Sequence, residues 1–374
     1  MNLMQFLEHK TLFYDKIEFD TVAKSYEILR HHLKLPYVVH IIGTNGKGST
    51  GRFLAHYLHK IGRQTLHYSS PHILKFNERI WINAEDVGDE NLEIAHQQLQ
   101  DILPSELLTA LTYFEYTTFL ALILANNFDY LVFEAGLGGE FDATSVVMRE
   151  LSLITTIDFD HQAFLGNTIA QIASTKIRSC KNKVILGHQI HAEVAQIARE
   201  ICTNDNVIDY DAELKIPSFL TFPPFLEHNF RLACSAIKFL GFELDFEKFR
   251  DIKLFGRCQK IAQNITIDVG HNELAAMALV KTFENKKINL VYGSYKDKDY
   301  PKILEILKPI IDKLFVVEIL EEPRMQTRES IIKSAKKLNI EISEKLNFST
   351  NEEYLVFGSF KVVEYFLKSE RYVV

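Results

Sequence analysis

Short apolar runs alternate along this chain with longer segments in which apolar residues recur every three or four positions. The runs at 37–42, 129–134, 151–158 and 183–186 predict buried strands. A segment after residue 50, closed by Gly62, and segments at 168–178 and 228–240 predict helices. This alternation is typical of an α/β protein built on a largely parallel sheet.

The same alternation of strand-like and helix-like segments resumes near Ile261 and continues to the end of the chain. The pattern there predicts strands at 265–270, 288–293, 313–319 and 352–358, with helices at 273–283, 301–310 and 328–338 and a closing helix. A series of this size fits a small doubly wound α/β domain. We therefore predict two domains, 1–256 and 257–374, with the boundary near residues 255–260.

Composition narrows the class of protein. The 374 residues are 47% hydrophobic and 24% charged, which are values of a folded globular chain. The net charge of −7 argues against a broad nucleic-acid-binding surface. The four cysteines form no CxxC pair, which favours a reducing compartment. With no signal-peptide pattern and no long apolar run, we expect a soluble, cytoplasmic protein without a membrane partner. No feature argues for an oligomer, so a monomer is expected.

A glycine-rich loop follows the first predicted strand and precedes a predicted helix. Its residues are Gly43, Thr44, Asn45, Gly46, Lys47, Gly48 and Ser49. Glycines let backbone N–H groups converge on phosphate oxygens, the helix N-terminus adds a favourable dipole, and a lysine adds charge. The match to the strict phosphate-loop pattern is imperfect, because Ile41 occupies the first glycine position and Gly48 follows the lysine. The strand–loop–helix context nevertheless favours a nucleotide phosphate site over a capped turn.

Other polar clusters follow predicted strands, where α/β sheets place their ligands. Glu134 precedes a glycine turn, the segment 158–161 ends in His161, and the segment 268–272 ends the first strand of the second domain. From the pattern alone, Glu134 is either a magnesium ligand or a solvent-facing strand end. A lone histidine is more often structural, and Lys176 on its helix is more often a solvated lysine.

Taken in order, these motifs resemble the folylpolyglutamate synthase and dihydrofolate synthase family, within the Mur-ligase superfamily. The matching segments are HIIGTNGKGS (40–49), SSPH (69–72), FNERI (76–80), TYFE (112–115), FEAGLGGEFDATSVV (133–147), DFDHQAFLGNTIAQIASTK (158–176), HN (228–229), FGR (255–257), DVGHN (268–272) and KDKD (296–299). The resemblance covers nearly the whole chain. It implies a P-loop NTPase-like Mur-ligase central domain followed by a smaller doubly wound α/β domain that serves as the C-terminal glutamate-ligase domain.

The resemblance also implies a reaction. ATP would phosphorylate a substrate carboxylate, and the amino group of L-glutamate would attack the acyl phosphate to form an amide. The acyl substrates would be dihydropteroate and reduced folates, because TYFE and SSPH resemble the bifunctional bacterial type. Three anionic groups meet in such a reaction, so metal ions and lysines are needed to offset their repulsion.

Residue roles follow from the same resemblance. The catalytic set would be Lys47, Glu134, His161, Lys176 and His271. The ATP contacts would be residues Gly43 to Ser49 together with Asn229, Arg257 and Asp268. Two Mg²⁺ ions would be held by Ser70, Glu134 and His161, and Lys176 aligns with a lysine that family members carbamylate. The pterin site would contain Thr112, Phe114, Asp142 and Ala143.

Two other interpretations stay open at this stage. One is a Mur-type ligase that acts on a UDP-sugar peptide. The glycine-rich loop already begins at Gly43, which leaves little room for an additional N-terminal domain that would recognise UDP. The other is a P-loop ATPase that works as a regulatory module and hydrolyses ATP regardless of pteroate substrates. The second leaves the Ser-Pro-His and Asp-Ala-Thr motifs without a role.

Overall fold

The computed structural model describes residues 1–12, 19–346 and 348–369. The chain divides into two compact units. The first comprises residues 1–221 and 226–252, and the second comprises residues 222–225 together with the chain from Lys253 onward.

The first unit contains one eight-stranded sheet. Its strands are β1 (Tyr37–Ile42), β2 (Thr65–Tyr68), β3 (Ile80–Ile82), β4 (Glu85–Asp86), β5 (Tyr130–Glu134), β6 (Leu151–Ile154), β7 (Lys183–Leu186) and β8 (Val207–Asp209). The strand order is β4-β3-β2-β5-β1-β6-β7-β8. The six strands from β2 to β8 in this order are parallel, whereas β3 and β4 add an antiparallel edge.

Ten helices accompany this sheet in the described chain. They are α1 (Leu3–Glu8), α2 (Phe19–Leu29), α3 (Lys47–Lys60), α4 (Asp89–Ile102), α5 (Ser105–Ala110), α6 (Tyr113–Leu124), α7 (Gln162–Leu165), α8 (Ile169–Ile177), α9 (Ala192–Cys202) and α10 (Pro224–Phe239). One hydrophobic cluster packs α1, α2, α4 and α6 against β1, β2 and β5. Another packs α8 and α9 against β6 and β7. Burial of these apolar faces is the main force that holds the layers together.

The order of strands determines where the site forms. β1 lies between β5 and β6, with Ile41 opposite Glu134 and Ile42 opposite Ile154. Because all three strands are parallel, the loops that follow them leave from the same edge of the sheet. The glycine-rich loop, Glu134 and the segment after Ile154 therefore meet there.

The second unit has a six-stranded sheet of order β13-β12-β11-β14-β10-β9. Its strands are β9 (Gln259–Ala262), β10 (Ile265–Ile267), β11 (Ile288–Tyr292), β12 (Ile311–Val316), β13 (Glu341–Ile342) and β14 (Tyr354–Phe357). Its helices are α11 (Glu273–Thr282), α12 (Tyr300–Leu307), α13 (Arg328–Lys337) and α14 (Phe360–Lys368). Only β9 among these described strands pairs antiparallel. The α/β class and the largely parallel sheet predicted from the sequence are confirmed, and each sheet also carries antiparallel pairing at one edge.

No helix in the described ranges is long and apolar enough to cross a bilayer.

Candidate functional site

The glycine-rich loop joins β1 to α3 and is fastened to the segment after β6. Gly43 and Gly46 have φ values of 146° and 94°, which favour glycine. The backbone N–H groups of Thr44 and Asn45 donate to the Thr156 carbonyl at 2.9 and 3.3 Å. The loop therefore has a defined conformation at the N-terminus of a helix, where backbone amides and the helix dipole favour an anion.

Lys47 and Glu134 are brought together at this loop. The Lys47 ammonium donates to the carbonyl oxygens of Gly43 and Thr44, each at 3.2 Å. It also lies 4.0 Å from a carboxylate oxygen of Glu134, whose side chain is 5% exposed. The carboxylate predicted at the strand end thus faces the loop and not the solvent.

Lys176 is buried and contacts the same loop. Its Nζ donates to the Gly43 carbonyl at 3.0 Å, so two lysine side chains converge on one oxygen. Burial, together with the nearby charge of Lys47, lowers the pKa of Lys176 to about 7, against the opposing charges of Asp160 and Asp142. The solvated lysine favoured by the pattern alone is wrong for Lys176, because α8 packs that face inward.

Two of the three predicted metal ligands, Ser70 and Glu134, lie at or near strand ends, whereas His161 immediately precedes α7. The Ser70 N–H donates to Glu134 at 3.3 Å, which brings the serine to the carboxylate. His161 is exposed and its Nε2 lies 3.8 Å from an Asp160 oxygen. In the described ranges no group of three or more His, Cys, Asp and Glu side chains could hold a metal ion. The hard oxygens of Glu134 and Ser70 fit a magnesium ion that takes its other ligands from nucleotide phosphates and water.

Asp142 holds the loop that follows Glu134. Its carboxylate accepts hydrogen bonds from Gly136 N, Leu137 N and both the N–H and hydroxyl of Thr144, at 2.5–3.0 Å. Burial raises the pKa of Asp142, and these four donors oppose that rise. This bonding gives Asp142 a structural task, and its predicted contact with a pterin stays a prediction.

Phe114 lies against the same loop, Ala143 follows Asp142 in its continuation, and Thr112 begins the helix that carries Phe114. Thr112 caps α6 by accepting from Glu115 N. The half-buried Phe114 ring lies against Gly136, where an added Cβ would come within 2.5 Å of the ring. Ala143 is buried. Phe114 therefore provides an aromatic face close to the turn after Glu134, as stacking on a planar ligand requires.

Asn229 supports the loop from α10. Its side-chain amide donates to Ser49 Oγ at 2.9 Å, and that hydroxyl donates to the Gly46 carbonyl at 3.1 Å. The role predicted for Asn229 was a nucleotide contact. The structure places the residue at the loop and shows a positioning contact there.

The remaining predicted residues belong to the second unit. Asp268 is buried and accepts from Cys258 N at 2.8 Å and Gly270 N at 2.7 Å. Burial raises the pKa of Asp268, whereas the Arg257 charge lowers it. His271 Nδ1 donates to the Val269 carbonyl at 3.3 Å. Their predicted roles toward the nucleotide stay predictions.

The structure adds positioning contacts that the sequence analysis did not predict. The Thr44 hydroxyl donates to the Asp158 carbonyl at 2.9 Å and accepts from Asp158 N at 3.0 Å. An Asp158 carboxylate oxygen is 2.9 Å from His191 Nε2. The sequence shows only that Asp158 follows a strand, since hydrogen bonds across 114 positions leave no local pattern.

Substitution of Gly46 tests the geometry of the loop. Gly46→Ala would place a Cβ 2.4 Å from Asn229 Oδ1 in addition to the strain of a positive φ. We expect a loss of unfolding free energy of about 2 kcal/mol or more and weaker nucleotide binding. Denaturant titration and equilibrium binding of ADP measure both.

Gly62→Ala is the matched control for that experiment. Gly62 has φ of 82° but nothing within 4 Å of an added Cβ. The control should therefore lose only about 1 kcal/mol and keep nucleotide affinity. Equal losses in the two variants would show that the Asn229 contact has no energetic importance.

Comparison with known proteins agrees with this architecture. The family model "Mur ligase, glutamate ligase domain" matches residues 256–357. The dihydrofolate synthase/folylpolyglutamate synthase of Haemophilus influenzae is 31% identical, over 92% of this chain and 91% of that protein. The crystal structure of Helicobacter pylori folylpolyglutamate synthetase is 36% identical with a TM-score of 0.78, and covers 98% of this chain and 97% of its own.

A solved structure with ligands extends the comparison. The bifunctional folylpolyglutamate synthase/dihydrofolate synthase of Yersinia pestis, complexed with AMPPNP and an Mn ion, is 25% identical with a TM-score of 0.83. It covers 97% of this chain and 95% of its own. These relatives match over more than nine tenths of both chains, and the glycine-rich loop follows β1 in the described structure. This chain therefore belongs to the dihydrofolate synthase/folylpolyglutamate synthase family of Mur ligases.

Proposed function

We propose that this chain is an ATP-dependent ligase that adds L-glutamate to dihydropteroate and to reduced folates through an acyl phosphate. Family membership supports the reaction class. The observation that carries the proposal within the chain is the meeting of Lys47, Lys176 and Glu134 at the glycine-rich loop. The Lys47 ammonium at a loop of backbone amides fits a polyanion such as a triphosphate, and the Glu134 carboxylate fits a divalent ion that accompanies it.

The first step joins the substrate carboxylate to the γ-phosphorus of ATP. A carboxylate oxygen attacks phosphorus, and the bond to the bridging oxygen of ADP breaks. Lys47 neutralises charge on the transferred phosphoryl group, and the loop amides hold the remaining phosphates. A divalent ion bound through Glu134 and Ser70 would supply further charge neutralisation when present.

The second step forms the amide. The glutamate nitrogen attacks the carbonyl carbon of the acyl phosphate, and the tetrahedral intermediate expels inorganic phosphate as the nitrogen loses its proton. Phosphorylation matters because a free carboxylate has no good leaving group. The protein mainly holds the reactants in contact and excludes water, which would hydrolyse the acyl phosphate.

The proposal also covers the metal ions, the state of Lys176 and the oligomeric state. We propose two Mg²⁺ ions, with His161 completing the set of Ser70 and Glu134, and a carbamylated Lys176. The Mn ion in the Yersinia pestis structure supports a divalent ion in the family. A monomer is the proposed active form, which light scattering during size-exclusion chromatography tests.

Phosphate release tests the proposed function. Purified protein with ATP, Mg²⁺ and L-glutamate is assayed with dihydropteroate, with tetrahydrofolate, and with neither. We expect release that depends on both the pterin compound and glutamate. Release with only one of the two acyl substrates would restrict the activity to that one. Phosphate release that is the same with and without these compounds would instead support the interpretation as a regulatory ATPase module.

A further inference from the structure

Arg79 is a buried guanidinium without a carboxylate partner in the described chain. The residue is 8% exposed. Its Nε donates to His72 Nδ1 at 2.9 Å, and the guanidinium carbon lies 5.1 Å from the centre of the Tyr113 ring. No ion pair to a carboxylate is found for it among the residues that the structure describes. A buried charge that lacks an opposite charge is costly, so such a side chain points to an anionic ligand.

The loop that carries Arg79 is rigidly built. The Glu78 carboxylate accepts from the N–H groups of Ile73, Leu74 and Lys75 at 2.6–2.8 Å. Ser69 N donates to the Arg79 carbonyl at 2.9 Å and closes the loop at its base. The guanidinium is therefore held in place before any ligand arrives, which reduces the entropy lost on binding.

The position of this loop links it to the reaction centre. Ser70, at its start, donates its N–H to Glu134. Tyr113, under the guanidinium, lies between Thr112 and Phe114, two residues of the predicted pterin site. The Phe76 ring lies 6.3 Å from Tyr113 at a steep angle and adds apolar surface. An aromatic ligand that ends in a carboxylate matches these surroundings.

We infer that Arg79 binds a carboxylate of the pterin substrate and so selects acids over their neutral derivatives. The inference rests on the proposed function and names a substrate-binding residue for it. The planar guanidinium presents paired N–H donors that match the two oxygens of a carboxylate. The Nη nitrogens are the groups available for this contact, since Nε is already engaged by His72.

Arg52 provides a matched control. Its Nε also donates to a histidine, His67 Nδ1 at 3.4 Å, and its guanidinium also lies over an aromatic ring, Trp81 at 4.7 Å. The charges of Asp86 and Glu78 raise the pKa of Arg52 against burial, so this guanidinium already has acidic neighbours. Arg52→Gln therefore removes similar packing without removing the proposed carboxylate site.

Equilibrium binding with a non-hydrolysable ATP analogue and Mg²⁺ present tests the inference. Dihydropteroate and its carboxyl methyl ester are titrated into wild type, Arg79→Gln, Arg79→Lys and Arg52→Gln. We expect Arg79→Gln to weaken binding of the acid about tenfold or more and to leave ester binding unchanged. Arg79→Lys should fall between, and Arg52→Gln should keep the wild-type ratio of acid to ester affinity.

Several results would overturn the inference. One is equal weakening of acid and ester in Arg79→Gln, and another is no change in either. If thermal denaturation shows that Arg79→Gln is unfolded, an unchanged acid-to-ester ratio in Arg79→Lys would overturn the inference as well. Failure of the wild type to bind dihydropteroate and to release phosphate with it would instead reject dihydropteroate ligation itself.

Discussion

Glu134→Gln is expected to lower the rate of ligation by a factor of about 1,000. The carboxylate lies at the end of β5, is 5% exposed, and is 4.0 Å from the Lys47 ammonium. The amide keeps the shape of the side chain but removes the charge that would bind a divalent ion and balance Lys47. The measurement is phosphate release at saturating ATP with dihydropteroate and glutamate.

A second glutamate controls for general effects of the substitution. Glu150 accepts from Val38 N at 2.7 Å, at the opposite end of β1 from the glycine-rich loop. Glu150→Gln should therefore keep near-wild-type turnover. Near-wild-type turnover of Glu134→Gln, in protein with a normal melting temperature, would show that Glu134 is not part of the reaction centre.

Lys47→Ala should lose ligation as Glu134→Gln does, while the protein stays folded.

Lys176→Met is expected to lose activity by a factor of about 100 or more, with partial rescue by added acetate or formate. A pKa of about 7 leaves a substantial neutral fraction of Lys176 near neutral pH. The neutral amine can add to carbon dioxide to form a carbamate, with release of one proton. A carbamate is a carboxylate-like ligand, so a short carboxylate in the space left by the lysine restores part of its function.

The same pKa predicts a pH dependence with a definite sign. Below a pH of about 7 most of the Lys176 amine is protonated and little carbamate forms, so activity should fall there and should be partly restored by added bicarbonate. The folded-state pKa is lower than the usual value of 10.5, so between these values the unfolded chain binds more protons. The contribution of Lys176 to stability should therefore increase as pH rises from about 7 to 10.5, and Lys176→Met should lack this increase.

Labelled bicarbonate provides an independent check. Protein incubated with isotopically labelled bicarbonate should show a carbamate resonance that is absent from Lys176→Met. Lys183→Met is the control, because the Lys183 ammonium is bonded to the exposed Asp205 carbonyl and has no contact with the glycine-rich loop. Full turnover of Lys176→Met without added carboxylate would reject the carbamate.

Most strands could be predicted from the sequence because buried strands leave local apolar runs. The run at 183–186 matches β7 at both ends. The strand predicted at 151–158 is too long, because β6 ends at Ile154. Beyond it, the Thr156 carbonyl accepts hydrogen bonds from the backbone N–H groups of Thr44 and Asn45. Whether a backbone group pairs with a strand or with a loop depends on distant residues, and local periodicity does not report it.

Helices α4 and α6 show another limit of prediction from the sequence. The sequence analysis did not predict α4 or α6. Helix α6 is apolar on nearly all sides, so it lacks the one-sided pattern that marks a surface helix. Its burial comes from packing between α4 and the sheet, which is a tertiary property.

The candidate site likewise contains some residues that could be predicted from the sequence and others that could not. Gly43 and Glu134 lie at strand ends and Lys47 begins the next helix. These sequence positions alone indicate a ligand site, and the structure brings the three residues together. Lys176 could be selected only through the family resemblance, because its burial and its contact with Gly43 depend on the packing of α8. Arg79 lies in the segment FNERI (76–80), but only the three-dimensional structure shows that it has no carboxylate partner among the described residues.

Transfer of carboxylate oxygen to phosphate tests the central claim most directly. Dihydropteroate labelled with a heavy oxygen isotope in its carboxylate is incubated with protein, ATP, Mg²⁺ and L-glutamate, and the released phosphate is analysed by mass spectrometry. An acyl phosphate requires that each phosphate released carries one oxygen from the substrate carboxylate, so we expect one label per phosphate. Unlabelled phosphate, released at the same rate as amide product, would contradict the account.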